Sequence, residues 1–360
     1  MNIREKLIKL LIKNHKVKKL DGKIPQSVKT ICCLSNTAIG DTLFNTPVWY
    51  ALKHARPDIK IIAILNPANA MLFKDDPNID EIVLYNGRWK GFINAARKLR
   101  KMQIDAVFIL HSNEPQATPL AVLSGAKYII KLVKNEFNHW HSAHQPLKPT
   151  QRYIVYNKLA YLNFLGISSD DVKMHLYLSK KEYENAAQLL DKKPGQKLVG
   201  LQMGASTISR QWFLSRWIEL ARLLLEHKNV KIVLTGSPKE RILTEPLERE
   251  LAKQGAQDRV LNAAGRLDIR SAAALIGSLD LLITPDTGPL HIAAALDTPT
   301  IGLFVAGEPK STNPPLNPDI HPYVQKPRTC TPCIGKSCKY AECMLQISAA
   351  EVYEKAVKFI

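Results

Sequence analysis

The chain has 360 residues, 46% of them apolar, with 50 Lys and Arg against 32 Asp and Glu and a formal charge of +18. That apolar share supplies a sizeable core and excludes a disordered protein, and ordinary Gly and Pro usage excludes collagen-like and low-complexity chains. No apolar run approaches the ~20 residues of a membrane span, and at about 150 residues per domain the length predicts two domains.

The first twenty residues, MNIREKLIKLLIKNHKVKKL, carry seven Lys/Arg and one acid. Ile3, Leu7, Leu10 and Leu11 recur at helical spacing, and Lys6, Lys9, Lys13 and Lys16 largely fill the opposite side. Two readings stay open: a solvated helix lying on the domain, or an amphipathic helix on an anionic membrane, where each Lys is worth about 1 kcal/mol. The scattered basic residues and the lack of a small-residue cleavage site do not fit a secretory signal. A cytoplasmic location and reduced thiols are therefore expected.

Short apolar runs then alternate with amphipathic stretches. Strands are predicted at VKTICCL (28–34), IKIIAIL (59–65), EIVLY (81–85), DAVFIL (105–110) and KYIIKL (127–132), with helices at 48–55 and 89–101. The second half repeats the rhythm with strands at 197–203, 230–235, 280–284 and 299–304 and helices at 215–226, 240–253, 269–278 and 289–296. Strand–helix alternation predicts parallel sheets covered on both faces, hence two doubly wound domains. The expected divisions are a basic helix (1–23), an N-terminal domain (24–178), a C-terminal domain (179–347) and a last helix (348–360) that could pack back on the N-terminal domain.

Ligands of open α/β sheets sit beyond the carboxyl ends of the strands, which singles out four loops. Ser35–Thr42 follows the first strand: Gly40 allows close backbone approach, and Asp41 stands at the sheet mouth before a helix expected to be capped by Thr46. Asp41 is either a turn residue or a carboxylate able to take a proton from a substrate hydroxyl. The second loop, GASTISRQW (204–212), offers backbone N–H groups and hydroxyls, with Arg210 as a forked cation suited to a diphosphate; a plain serine-rich turn is the alternative. In GSPKE (236–240), Glu240 either caps a helix or meets a nucleoside. The fourth, PDTGPLH (285–291), is the most specific: Asp286, Thr287, Gly288 and His291 crowd a helix N-terminus, where Asp286 alone would make a good cap. G-x-G, the P-loop, H-E-x-x-H, G-x-S-x-G and D-x-D are all absent from the sequence.

Together these loops resemble glycosyltransferase family 9, the ADP-heptose:lipopolysaccharide heptosyltransferases. The matching segments are AIGDTLFNTPVWYALKHARPDIKI (38–61), GLQMGASTISRQWFLSRWIELARLL (200–224), IVLTGSPKE (232–240) and the stretch 263–304 with its D-T-G-x-x-H signature; QRYIVYNKLAYLNFLGI (151–167) matches more weakly. The resemblance implies a GT-B fold, an α/β pair of Rossmann-like domains facing across a cleft, and inverting transfer from a nucleotide sugar without a metal motif. Carried over, Asp41 is the general base. Gly204, Ser206, Thr207 and Arg210 bind the diphosphate, Glu240 meets the nucleoside, and Asp286, Thr287, Gly288 and His291 hold the sugar and diphosphate. Arg210 departs from the Lys of many members, keeping the charge while altering phosphate geometry. The implied partners are an ADP-heptose donor, a lipid-linked lipopolysaccharide core acceptor and the anionic inner face of the inner membrane, with no cofactor, no metal and no nucleic acid. Loops 111–118 and 134–149 are the expected acceptor readers.

Cys32 and Cys33 fall in a buried strand. Cys330, Cys333, Cys338 and Cys343 form C-x2-C-x4-C-x4-C, for which zinc, pairing and reduced thiols all remain open. Another donor sugar or glycan acceptor on the same fold is the nearest alternative. A basic nucleic-acid-binding protein is the alternative of another class, but the chain has no reader motif.

Overall fold

The computed structural model describes residues 3–132, 135–144, 153–305 and 307–360. Loop 134–149 therefore lies partly outside the described residues. The chain divides into two compact units, Met1–Tyr177 and Leu178–Ile360. Among the described residues no helix is long and apolar enough to cross a membrane.

The first unit runs α1 (Ile3–Ile12), β1 (Thr30–Ser35), α2 (Ile39–Leu43), α3 (Thr46–Ala55), β2 (Lys60–Leu65), α4 (Pro67–Ala70), β3 (Glu81–Leu84), α5 (Phe92–Lys101), β4 (Ala106–His111), α6 (Ala117–Leu123), β5 (Tyr128–Ile130) and α7 (Ile154–Leu159). Its five strands are parallel in the order β3-β2-β1-β4-β5. The sheet is covered on both sides, which is why its inner strands read as unbroken Val/Ile/Leu/Cys runs. Cys32 and Cys33 are fully buried in β1. On α5, Phe92, Ala95, Ala96 and Leu99 face inward at helical spacing, while Lys98, Arg100 and Lys101 end the helix where cations suit its dipole.

Two expectations change here. Helix α3 is capped by Asn45 rather than Thr46, with Pro47 within its first two positions; the Thr46 hydroxyl donates instead to the Leu43 carbonyl and accepts from the His175 N–H. In α1 the residues that dock on the unit are Ile8 and Ile12, 6% and 0% exposed, not the Leu7/Leu10/Leu11 stripe.

The second unit runs α8 (Lys180–Leu190), β6 (Lys197–Gln202), α9 (Leu214–Leu225), β7 (Val230–Thr235), α10 (Arg241–Lys253), β8 (Val260–Asn262), α11 (Ile269–Gly277), β9 (Leu281–Pro285), α12 (Gly288–Ala295), β10 (Thr300–Phe304), α13 (Pro309–Thr312), β11 (Tyr323–Gln325) and α14 (Ala349–Ala356). Six parallel strands lie in the order β11-β10-β9-β6-β7-β8. The three-residue strands β8 and β11 are too short to leave a periodic signal in the sequence. A buried ion pair, Arg270 Nε to Glu182 Oε1 at 2.7 Å, ties α11 to α8, and Glu182 also closes a capping box with Ser179. The last helix, which the sequence allowed to reach back to the N-terminal domain, belongs to the second unit. Ala349, Val352 and Ala356 join the core formed by α9 and the sheet.

Candidate active site

In each sheet the first strand sits between its two successors, β1 between β2 and β4, and β6 between β7 and β9. The order reverses there, so the helices on either side lie on opposite faces and a crevice opens at the strand ends. The candidate residues fall at these two points.

In the first unit Asp41 lies on the short helix α2 rather than in open loop. Its Oδ2 accepts the Ala38 N–H at 3.3 Å, so it does cap its own helix. The same oxygen stands 3.5 Å from His111 Nδ1, and both side chains stay about one-third exposed. His111 ends β4, the neighbour of β1, and its Nδ1 also lies 2.6 Å from the Thr37 hydroxyl. Lys158 on α7 is a buried amine whose Nζ donates to the Leu110 carbonyl, next to His111, at 2.5 Å. Burial pulls its pKa down to about 8, the Asp41 charge works the other way, and Lys131 adds to the lowering. Asn36, one turn of chain from Asp41, is 3% exposed, and both its carboxamide atoms lack a partner among the described residues. Leaving such a group unmatched costs about 1–3 kcal/mol. Loop 111–118 is anchored by Glu114, whose carboxylate accepts from Thr118, Lys131 and Asn135.

In the second unit the three predicted loops interlock. Arg210 Nη1 donates to the Asp286 carbonyl at 2.9 Å, and Nη2 stands 3.4 Å from Asp286 Oδ2. His291 Nε2 lies 3.8 Å from Asp286 Oδ1, with both residues buried. The cap of α12 is Thr287 rather than Asp286. The Thr287 hydroxyl lies 3.1 Å from that of Thr284 and donates to the Pro285 carbonyl at 3.3 Å. Glu240 sits in a single turn ahead of α10; its Oε2 accepts the Ser237 N–H at 2.7 Å and its Oε1 the Gln202 amide at 3.4 Å. Gly204 is required here, because a Cβ on it would lie 1.7 Å from Glu240 Oε1. Ser206 is exposed and Thr207 partly so, leaving their hydroxyls reachable. The loop is pinned behind by Trp212, a buried indole that donates to the Ile347 carbonyl at 3.1 Å.

Arg210, Asp286 and His291 thus form one cluster, and Gly204 and Glu240 another on the same strand ends. The sequence reasoning placed Asn36, Thr37 and His111 only within its loops 35–42 and 111–118, without roles of their own, and missed Lys158. The available signals were a histidine closing the strand beside β1 and a lone lysine between the apolar Val155 and Leu159.

No cysteine is in a disulfide: Cys330 and Cys333 are exposed, Cys338 and Cys343 half-buried. The Gly335 N–H donates to Cys333 Sγ at 3.3 Å. Among the described residues no group of three or more His, Cys, Asp or Glu is arranged to hold a metal ion.

A sequence model of glycosyltransferase family 9 (heptosyltransferase) matches residues 94–344, well over half of the chain. The chain belongs to glycosyltransferase family 9. Among the relatives of this family 9 chain is the lipopolysaccharide core heptosyltransferase OpsX of Haemophilus influenzae, 26% identical over 82% of this chain and 84% of that protein. Lipooligosaccharide heptosyltransferase 2 of Campylobacter jejuni is 27% identical over 89% of this chain and 95% of its own. The solved ADP-heptose lipopolysaccharide heptosyltransferase II of Escherichia coli is 18% identical and aligns with a TM-score of 0.73 over 92% of this chain and 98% of its own. The two doubly wound sheets are therefore those of the GT-B fold that the sequence resemblance implied, and the protein is a glycosyltransferase.

Proposed function

We propose that this family 9 enzyme transfers a heptose from ADP-heptose to a hydroxyl of the lipopolysaccharide inner core, with inversion at the anomeric carbon and without a metal ion. The observation that carries this reading is the convergence of Arg210, Asp286, Thr287 and His291 at the switch point of the second sheet, on the N-terminus of α12. It is supported by the relatives, a lipopolysaccharide core heptosyltransferase and a lipooligosaccharide heptosyltransferase.

The donor diphosphate is taken by Ser206, Thr207, the Arg210 fork and the N–H groups at Gly288. Glu240, held rigid by Ser237 and Gln202, faces the nucleoside. Asp286 and His291 hold the sugar. On the acceptor side Asp41 is the general base. The acceptor oxygen attacks the anomeric carbon from the face opposite the diphosphate, its proton passes to the Asp41 carboxylate, and the sugar–phosphate bond breaks with its electron pair leaving on ADP. Negative charge grows on the departing oxygen, where fixed N–H dipoles and Arg210 stabilise it without reorganisation. His111 is a positioning residue beside Asp41, and Lys158 fixes the strand end that carries His111 by donating to the Leu110 carbonyl. The working site is the cytoplasmic face of the inner membrane, where the lipid-linked acceptor is presented.

The test pairs two measurements on one variant. Asp41→Asn should abolish transfer to a core acceptor while ADP-heptose still raises the melting temperature as in the wild type. Loss of both would remove Asp41 as base. A larger thermal shift with GDP-, UDP- or CMP-sugars than with ADP-heptose would overturn the donor.

A further inference from the structure

Helix α1 carries two apolar faces, and only one is used. With about 100° between successive residues, Ile8 and Ile12 share a side that enters the core of the first unit beside α6. The helix is fixed there: the Trp140 indole donates to the Ile12 carbonyl at 3.1 Å, and Lys9 pairs with Glu136 at 2.5 Å while lying over the Phe137 ring. Leu7, Leu10 and Leu11 occupy a neighbouring arc and remain 61%, 66% and 50% exposed. Beyond them, on the flank away from the core, stand Lys6 and Lys13, both exposed, and Lys16 follows. Three leucines in a row of turns facing water next to a line of lysines is the pattern of an interfacial helix rather than of an ordinary surface helix.

We propose that the Leu7/Leu10/Leu11 face of α1 is a membrane-docking surface, inserting its leucines among the acyl chains of an anionic bilayer while Lys6, Lys13 and Lys16 lie at the phosphate level. Charge decides the occupant. A second copy would set lysine rows of a +18 chain against each other, whereas anionic headgroups complement them. Because Ile8 and Ile12 already anchor the helix, docking needs no unfolding or release: the face is presented as it stands. The proposal concerns the membrane side of the functional reading, yet does not depend on the sugar transferred.

The experiment uses full-length protein and two kinds of vesicle, phosphatidylcholine alone and phosphatidylcholine with phosphatidylglycerol. The wild type should sediment with the anionic vesicles and not with the neutral ones. Replacing Leu7, Leu10 and Leu11 together by Gln should weaken binding at least tenfold with the melting temperature unchanged, since these side chains face solvent. Lys6→Gln with Lys13→Gln should each cost about fivefold, because each basic residue contributes about 1 kcal/mol, and added salt should reproduce the loss. Transfer to a lipid-free core acceptor should be the same in wild type and triple variant. Wild-type binding to anionic vesicles that the triple variant retains would overturn the proposal, as would a wild type that stays in solution but forms a dimer the variant cannot. Vesicle binding without any heptose transfer would leave the docking surface standing and remove the proposed function instead.

Discussion

At Asp41 two demands meet on one side chain: its Oδ2 accepts the Ala38 N–H and stands beside His111, while the strand end carrying His111 is fixed by the buried Lys158 amine on the Leu110 carbonyl. Removing the Lys158 amine would leave the Leu110 carbonyl at the end of β4 without its buried donor. Lys158→Met should therefore disturb the strand end that carries His111 and lower the transfer rate with donor affinity unchanged; a variant with the wild-type rate would show that the lysine only fills space. On the donor side, Arg210 is held by Asp286 through a carbonyl contact at 2.9 Å and a looser carboxylate contact at 3.4 Å, so part of its fork stays available. Hydrogen bonds to charged partners are worth about 1.5–3 kcal/mol. Arg210→Ala should thus weaken ADP binding roughly ten- to a hundredfold by calorimetry, and Arg210→Lys should recover only part of it, because a single ammonium cannot replace the fork.

At the scale of elements, pH sensitivity is built into β10 and its neighbours. His321 is buried against the Thr300 hydroxyl at 2.9 Å, and burial drives its pKa down to about 4. The unfolded chain binds a proton near pH 6.5 and the folded one only near 4, so the stability owed to the neutral ring is complete above 6.5 and is lost as pH falls through this window. Asp76 in the first unit runs the other way, since burial lifts its carboxyl to about 6, and folding there weakens as pH rises from 3.8 to 6. His321→Gln should flatten the fall in melting temperature between pH 6.5 and 4 relative to the wild type; an unchanged slope would place the acid sensitivity elsewhere.

The elements also show what the sequence could and could not announce. Buried parallel strands leave apolar runs that cannot be mistaken, so β1, β2, β6, β7, β9 and β10 were legible, along with the loops at their ends. Helix α1 was legible as a helix but not in its orientation. Periodicity marks an apolar stripe without saying whether protein or something else covers it, and two residues outside that stripe made the contact. The roles of His111 and Lys158 escaped because each acts across a distance in sequence: the pairing of β1 with β4 brings His111 to Asp41, the packing of α7 brings Lys158 to Leu110, and no local pattern records either.

For the whole molecule, the proposed donor loops all issue from the sheet of the second unit and the proposed general base from that of the first, each unit having its own core. A core substitution in one unit should therefore lower that unit's stability without dismantling the other's site. Leu224→Ala, at a fully buried position of α9, should cost about 2–5 kcal/mol and depress donor binding on heating, while hydrogen exchange in β1 and β4 stays at the wild-type rate. Exchange that rises equally in both sheets would show the two units melting as one.

The contact between Gly204 and Glu240 carries its own consequence. A methyl group at 204 and a full-length glutamate at 240 compete for one volume, since a Cβ would fall 1.7 Å from the carboxylate oxygen. The two positions are therefore epistatic. In a randomised library selected for new donors, side chains should be enriched at 204 only in clones that have already shortened 240, and altered base preference should emerge through paired replacements rather than single steps.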